Sequence, residues 1–230
     1  MHGDEERILA AKAALDYVED GMKLGIGSGR AVAKFIEALG VRLKEEGIAV
    51  KAVPTSVKTE LLCMEHGIPL TTLNEAPSLD LDVDGADQVE RTSLNMIKGG
   101  GGALLREKIV ASASDKRIII IEEGKLADKL SWKIPLEVLP FALGFCLKQL
   151  RRLGKPEVRE GTGKLGPIVT DNGNYIVDLD VGTIEDPYKI EEGLRRIPGV
   201  LETGLFLNLA DKVIVGKSTG RIEILERNSP

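Results

Sequence analysis

Residues 98–108 read Lys-Gly-Gly-Gly-Gly-Ala-Leu-Leu-Arg-Glu-Lys, and the four consecutive glycines constrain the fold more than any other feature. A glycine within regular structure costs roughly 0.5–1 kcal/mol relative to alanine, because it loses the most backbone freedom on folding. A bare linker is a poor explanation for such a run between two ordered segments. A loop that must bend sharply, or let a ligand approach its backbone, explains it better. The run leads into a helix predicted over Ala103–Ala113. It is not a Walker A loop, because Lys98 precedes the glycines, and Gly216-Lys217-Ser218 fails the same pattern with Asp211 where the first glycine belongs. The chain has 26 glycines in 230 residues, above the usual share of about 7%.

Around this loop, strands and helices alternate with short connections. Apolar Ile8, Leu9, Ala11, Leu15 and Val18 recur at helical spacing, and MKLGIG follows as a short buried strand. A second amphipathic helix spans Ala31–Glu46 and a strand Ile48–Val53. A third helix, capped by Thr55 or Ser56, runs to about Glu65. Leu79–Val83 is a strand, and Lys116–Ile121 is a β-branched run suited to a parallel strand covered on both faces. This alternation predicts a doubly wound, Rossmann-like α/β sheet. After Trp132 the rhythm changes to strand, helix, strand, an Asp171-Asn172-Gly173-Asn174 hairpin turn, strand, helix, and a closing strand over Val200–Phe206. That order predicts an inserted α+β ferredoxin-like domain. The expected division is 1–132 with 207–230 for the α/β domain and 133–206 for the insertion.

Two further junctions carry chemistry-bearing residues. Gly25-Ile26-Gly27-Ser28-Gly29-Arg30 lies between the first strand and its helix, where backbone N–H groups bind anions. Arg30 stands where a dinucleotide fingerprint needs its third glycine, and the next strand ends in Pro54-Thr55-Ser56 without a ribose-binding acid. An anionic ligand and a plain tight turn both remain open. The segment Asp80–Glu90 begins like a calcium loop, but Arg91 occupies the position of the bidentate glutamate. It reads instead as a strand presenting Asp84 and Asp87 around a Gly85-Ala86 turn, which is either a ligand site or a solvated acidic turn. In the helix after the glycine run, Leu105 and Ile109 mark the expected buried stripe, which turns Glu107 about 200° away from Leu105. There Glu107 is either a charged base stabilised by the helix dipole or a solvated first-turn acid. Lys98 is placed to neutralise a developing oxyanion.

The scarce residues exclude much. Lys plus Arg number 31 against 36 Asp plus Glu, and aromatics make up 3%, so neither a basic surface nor a stacking platform for nucleic acid exists. Cys63 and Cys146 sit in apolar helical stretches, which suits a reducing compartment. The histidines, His2 at the terminus and His66 at a helix end, form no cluster with them, so no metal set is expected. The acidic start, MHGDEERILA, has no signal-peptide core, and no apolar run approaches a membrane span. The chain is expected to be soluble and cytoplasmic, with no membrane partner.

Taken together, GIGSGRAVAKFIEALG, VPTS, DVDGADQV, MIKGGGGALLREKI, IEEGK, EVLP, VTDNGNYIVD, IPGVLETGLF and ADKVIVG resemble type A ribose-5-phosphate isomerase over nearly the whole chain. DVDGAD followed by KGGGGALLREK is the specific pair. The resemblance implies an aldose–ketose isomerase of the non-oxidative pentose phosphate pathway that needs no cofactor or metal. It implies Glu107 as general base between C1 and C2, with Asp84, Asp87 and Lys98 serving ring opening and the oxyanion. Ser28, Gly29, Arg30 and Ala31, Gly85 and Ala86, and Gly99, Gly100 and Gly101 would bind the phosphosugar, with Lys125 and Arg7 contacting it. The family's first loop usually reads T-G-S-T, whereas Ser28-Gly29-Arg30-Ala31 lacks two hydroxyls and gains a guanidinium, so phosphate binding is expected to persist with altered geometry. The resemblance also implies a homodimer or homotetramer assembled through the inserted domain. The alternative is a sugar-phosphate sensor that binds without turnover, but no output module accompanies the chain.

Overall fold

The computed structural model describes residues 2–161, 163 and 165–227. In chain order it runs through helix α1 (His2–Ala14), strand β1 (Lys23–Ile26), α2 (Arg30–Glu46), β2 (Lys51–Pro54), α3 (Val57–Glu65) and β3 (Leu79–Asp84). Two short strands, β4 (Gln88–Glu90) and β5 (Met96–Ile97), precede α4 (Leu104–Ser112), β6 (Ser114–Glu122) and β7 (Leu126–Ala127). There follow β8 (Ile134–Val138), α5 (Leu143–Leu150), β9 (Lys155–Val158), β10 (Tyr175–Asp180), α6 (Pro187–Arg195) and β11 (Val200–Thr203). The last strands are β12 (Leu205–Phe206), β13 (Lys212–Gly216) and β14 (Ile222–Glu226). Two compact units result: Met1–Ala86 with Arg106–Leu126 and Asn208–Pro230, and Asp87–Leu105 with Ala127–Leu207. The ring of His2 lies outside the described residues, and among these no helix is long and apolar enough to cross a membrane.

The first unit is the predicted α/β sheet. Its order is β14-β13-β6-β3-β1-β2, with β2, β1, β3, β6 and β13 parallel and β14 antiparallel at the edge. Ile118, Ile119, Ile120 and Ile121 are all buried, as a strand covered on both faces requires. On one face Leu24, Ile26, Leu81, Val83, Ile118, Ile120 and Ile214 pack against Ala10, Ala11 and Ala14 of α1 and Val32, Phe35, Ile36 and Leu39 of α2. Burying each large apolar side chain contributes about 1.5–3 kcal/mol, so this layer is the main source of the unit's stability. The opposite face packs Val53 and Leu79 against Val110 of α4. Among the parallel strands the order is second, first, third, fourth, fifth, so β1 and β3 flank the point where the connections change direction. Ligands of such sheets bind outside the carboxyl ends of the strands at that crevice.

In the second unit, β8-α5-β9-β10-α6-β11 forms an antiparallel sheet in the order β11-β8-β10-β9, the split arrangement predicted for the insertion. Its core joins Leu136, Val138, Val177 and Leu179 to Cys146 and Leu150 of α5 and Leu194 of α6. Val200–Phe206 is not one strand: β11 ends at Thr203, and Leu205–Phe206 pairs instead with β5 in a small separate sheet. The break is at Gly204, whose N–H donates to Pro135 O at 2.6 Å and whose carbonyl accepts from Lys98 N at 2.9 Å. A side chain there would lie 2.4 Å from Lys98 O, so only glycine lets the chain serve both sheets. The strands β4, β5 and β7 were not anticipated, since pieces of two or three residues carry no readable period.

Candidate active site

At the carboxyl ends of β1 and β3, Ser28 N–H donates to Asp84 Oδ1 at 3.0 Å and Gly85 N–H donates to the same oxygen at 2.7 Å. Asp84 is only 1% exposed. Its carboxyl group occupies the space that a side chain at Gly27 would fill: a Cβ there would lie 1.9 Å from the Asp84 carboxyl carbon. The turn then passes through Gly29 at φ +111° into α2, leaving Arg30 exposed and Ala31 buried.

The Ser28 hydroxyl is part of a cluster that single-residue motifs did not show. Its Oγ lies 2.8 Å from both Thr55 Oγ1 and Ser56 Oγ and 3.2 Å from Thr59 Oγ1. Thr59 Oγ1 in turn donates to Gly27 O at 2.8 Å. Ser56 is the α3 cap, accepting from Thr59 N–H at 3.1 Å, one of the two caps foreseen. Hydroxyl groups absent at positions 30 and 31 are thus present around Ser28 from the β2–α3 junction. The VPTS segment signalled them, but only pairing of β1 with β2 brings them to Ser28.

Glu107 does not point where the apolar residues of its helix predicted. It is 4% exposed, while Ile109 is 48% exposed and Leu105 only half-buried. The buried stripe of α4 is Leu104, Glu107, Lys108 and Ala111, with Val110 beside it. These four stand at i, i+3, i+4 and i+7, so the helical period was right and its phase wrong: Glu107 occupies a buried position that a reading from Leu105 and Ile109 turns away from the core. The solvated-acid reading of Glu107 is therefore overturned. Its place in the first turn of α4 favours the charged carboxylate.

Arg7 and Lys125 converge on one carboxylate. Arg7 Nη2 donates to Glu122 Oε1 at 2.9 Å, and Lys125 Nζ lies 3.7 Å from Glu122 Oε2. Burial works to raise the Glu122 pKa, but the Arg7 hydrogen bond and the charge of Lys125 hold it below the ordinary carboxylate value. The same hydrogen bond raises Arg7 further. Lys125 Nζ also donates to Ala86 O at 2.6 Å, tying the end of the Asp84–Ala86 turn. Glu122, the residue that gathers these cations, was not among the expected site residues, although it stands in the IEEGK segment.

In the second unit Lys98 is 3% exposed, with Nζ 5.2 Å from the centre of the Phe206 ring. That position stabilises an ammonium group through the ring quadrupole. Gly99 is buried, whereas Gly100 and Gly101 are exposed. Asp87 accepts from Gly100 N–H at 2.6 Å, so one predicted acid holds the predicted loop. Gly99 and Gly102 adopt φ of +102° and +79°, values open to glycine at little cost. Among the described residues no group of three or more His, Cys, Asp and Glu is arranged to hold a metal ion. Cys63 and Cys146 are buried, as expected.

A cavity of about 650 Å³ in the first unit, lined by Val53, Leu70, Thr72, Asn74, Arg106 and Ile109 among others, contains none of the predicted site residues.

The profile of the family described as ribose 5-phosphate isomerase A (phosphoriboisomerase A) matches residues 51–220. The ribose-5-phosphate isomerase A of Archaeoglobus fulgidus is 48% identical over 213 residues, covering 91% of this chain and 94% of that protein. That of Pyrococcus horikoshii is 43% identical over 231 residues, covering 99% and 100%. A solved structure of D-ribose-5-phosphate isomerase in complex with phospho-erythronic acid superposes with a TM-score of 0.95 at 42% identity, covering 99% of this chain and 100% of the other. The ribose 5-phosphate isomerase A of Methanocaldococcus jannaschii gives 0.92 at 41% identity, covering 96% and 98%.

Proposed function

The chain belongs to the ribose 5-phosphate isomerase A family, and from that premise we propose that it interconverts D-ribose 5-phosphate and D-ribulose 5-phosphate by proton transfer through an enediolate. The observation that carries the reading is the buried carboxylate of Glu107 in the first turn of α4, in a chain this similar to isomerases over its whole length. After the ring opens, with Asp84 and Asp87 exchanging protons with the ring and hydroxyl oxygens, Glu107 takes the proton from C2. The C2–H electron pair forms the C1=C2 double bond, and the C1 carbonyl electrons move to oxygen. Moving the O2 proton to O1 and returning the carbon-bound proton to C1, while an O2 electron pair forms the C2 carbonyl as the C1=C2 pair takes up the proton, gives the ketose. Lys98 and glycine N–H groups stabilise the negative oxygen as it forms. Ser28, Gly29, Arg30, Ala31, Gly85, Ala86 and Gly99 to Gly101 bind the phosphosugar, with Arg7 and Lys125 adding positive charge. The hydroxyl cluster at Ser28 supports this reading of the first loop.

The test is conversion of ribose 5-phosphate in excess chelator by wild type and by Glu107→Gln. Removing a general base costs about a hundred- to ten-thousand-fold in rate. Equal rates for the two proteins would refute the assignment of the base, and loss of wild-type activity to chelator would refute a metal-free route.

The same proposal includes a homodimer or homotetramer acting in the cytoplasm, assembled through residues 133–206, which fall within the second compact unit. Exposed Leu139, Phe145 and Leu201, with Phe141 97% exposed, support an assembly surface in that segment. Sedimentation of wild type and Phe141→Glu checks it: a variant sedimenting like wild type would remove Phe141 from the interface.

A further inference from the structure

Arg159, just beyond β9, was singled out by no motif, yet its guanidinium decides how the glycine run is presented. One nitrogen, Nη1, donates to Gly99 O at 2.8 Å and to Gly100 O at 2.9 Å. The other two are held by Asp178 of β10: Nε donates to Oδ2 at 2.7 Å, and Nη2 pairs with Oδ1. Both side chains are largely buried, so the pair is only weakly screened by solvent.

The consequence follows from peptide geometry. The described chain contains no cis peptide bond, and in a trans peptide unit the C=O and N–H point in opposite directions. Gripping the carbonyls of Gly99 and Gly100 therefore turns the N–H groups of Gly100 and Gly101 away from Arg159. The first of these is met on that far side by the Asp87 carboxylate. The second is turned to the same side as Asp87. A positive charge on the two carbonyls also polarises both peptide units and makes their N–H groups stronger donors. Without such a clamp, four glycines in sequence would sample many loop shapes, and the donors would have to be ordered anew in each turnover.

We propose that Arg159, fixed by Asp178, is a positioning residue that sets the glycine loop so that the Gly101 N–H faces the oxyanion formed during isomerisation. The proposal rests on the isomerase reading above. A directly acting oxyanion donor is worth about 100- to 1000-fold in kcat, so a residue acting through one is expected to be worth about 10- to 100-fold.

The experiment compares wild type, Arg159→Met, Arg159→Lys and Asp178→Asn by steady-state kinetics on ribose 5-phosphate, with circular dichroism and urea midpoints to verify folding. Arg159→Met is expected to lower kcat about 10- to 100-fold with a smaller change in KM, because the binding groups at Ser28–Ala31 and Gly85–Ala86 are untouched and only the glycine loop is released. Arg159→Lys should recover about tenfold, since an ammonium can still reach the carbonyls but cannot form the bidentate pair. Asp178→Asn should lower kcat about three- to tenfold, and it carries the test if Arg159→Met fails to fold. A folded Arg159→Met or Asp178→Asn with wild-type kcat, or a change confined to KM, would overturn the proposal. An inactive wild type would refute the isomerase reading and this inference with it, whereas an active wild type with unaffected variants refutes the inference alone.

Discussion

Gly27→Ala probes the tightest packing at the proposed site. The added methyl carbon would lie 1.9 Å from the Asp84 carboxyl carbon and Oδ1 and 2.5 Å from Asp84 Cβ. Asp84 is buried at the end of β3, and the strand below it is paired on both sides, to β1 and to β6, so neither backbone can yield cheaply. The carboxyl group must leave its place and give up the N–H bonds from Ser28 and Gly85. A hydrogen bond to a charged group contributes about 1.5–3 kcal/mol, so losing both costs about 3–6 kcal/mol. Overpacking adds about 1–3 kcal/mol. A penalty of at least about 4 kcal/mol is a large share of the roughly 5–15 kcal/mol that holds a domain folded. With a slope of up to about 3 kcal/mol per molar, the urea midpoint of Gly27→Ala should fall by at least about 1 M, and isomerase activity should fall with it. An unchanged midpoint together with an unchanged rate would show that Asp84 has room to move, and the close packing of β1 against β3 would be refuted as the reason for glycine at position 27.

Gly193→Ala makes the opposite change in α6, where an added Cβ meets nothing within 4 Å; it should raise the urea midpoint by up to about 1 kcal/mol of stability, and a loss would refute the open geometry. Glu122 has its folded pKa held below the ordinary 4.5 by Arg7 and Lys125 against the opposing effect of burial. Its contribution is therefore present above about pH 4.5 and is lost as pH falls through the lower folded value, so the midpoint gap between wild type and Glu122→Gln should close on acidification. A gap independent of pH would refute the charge-based account. Burial pushes the Cys63 thiol up to about 11, so iodoacetamide at pH 8 should label it only in urea, as mass spectrometry can follow. Native labelling at the rate of an ordinary free thiol would contradict that burial.

Much of the site was legible because glycines and acids at strand-to-helix junctions have few structural uses. The Gly99–Gly102 run reads as backbone that bends sharply or is closely approached, the Gly25–Gly29 turn as an anion site or a tight turn, and the Asp84–Asp87 turn as two presented acids. In the structure, Asp84 is the group that approaches Gly27, and Asp87 approaches Gly100. What approaches is thus the protein's own carboxylates. Glu107 shows the limit. Its residue type and helix position marked it as a candidate, but hydropathy counts a charged residue as solvent-facing, so the buried phase of α4 was assigned to Leu105 and Ile109 instead.

By itself the sequence determined the alternation of parallel strands with helices, the split α+β segment and the junctions where backbone is tightly used. These follow from local period and local conformational cost, which depend on residues close together in the chain. Only the tertiary structure decided that Arg7 and Lys125 share Glu122, that Thr55, Ser56 and Thr59 surround the Ser28 hydroxyl, and that Arg159 clamps the glycine run. Arg7 and Glu122 are 115 positions apart, and Arg159 and Gly99 are 60. Partners at that range are chosen by strand order and by which buried charge needs which counter-charge, and no pattern read along the chain encodes that choice.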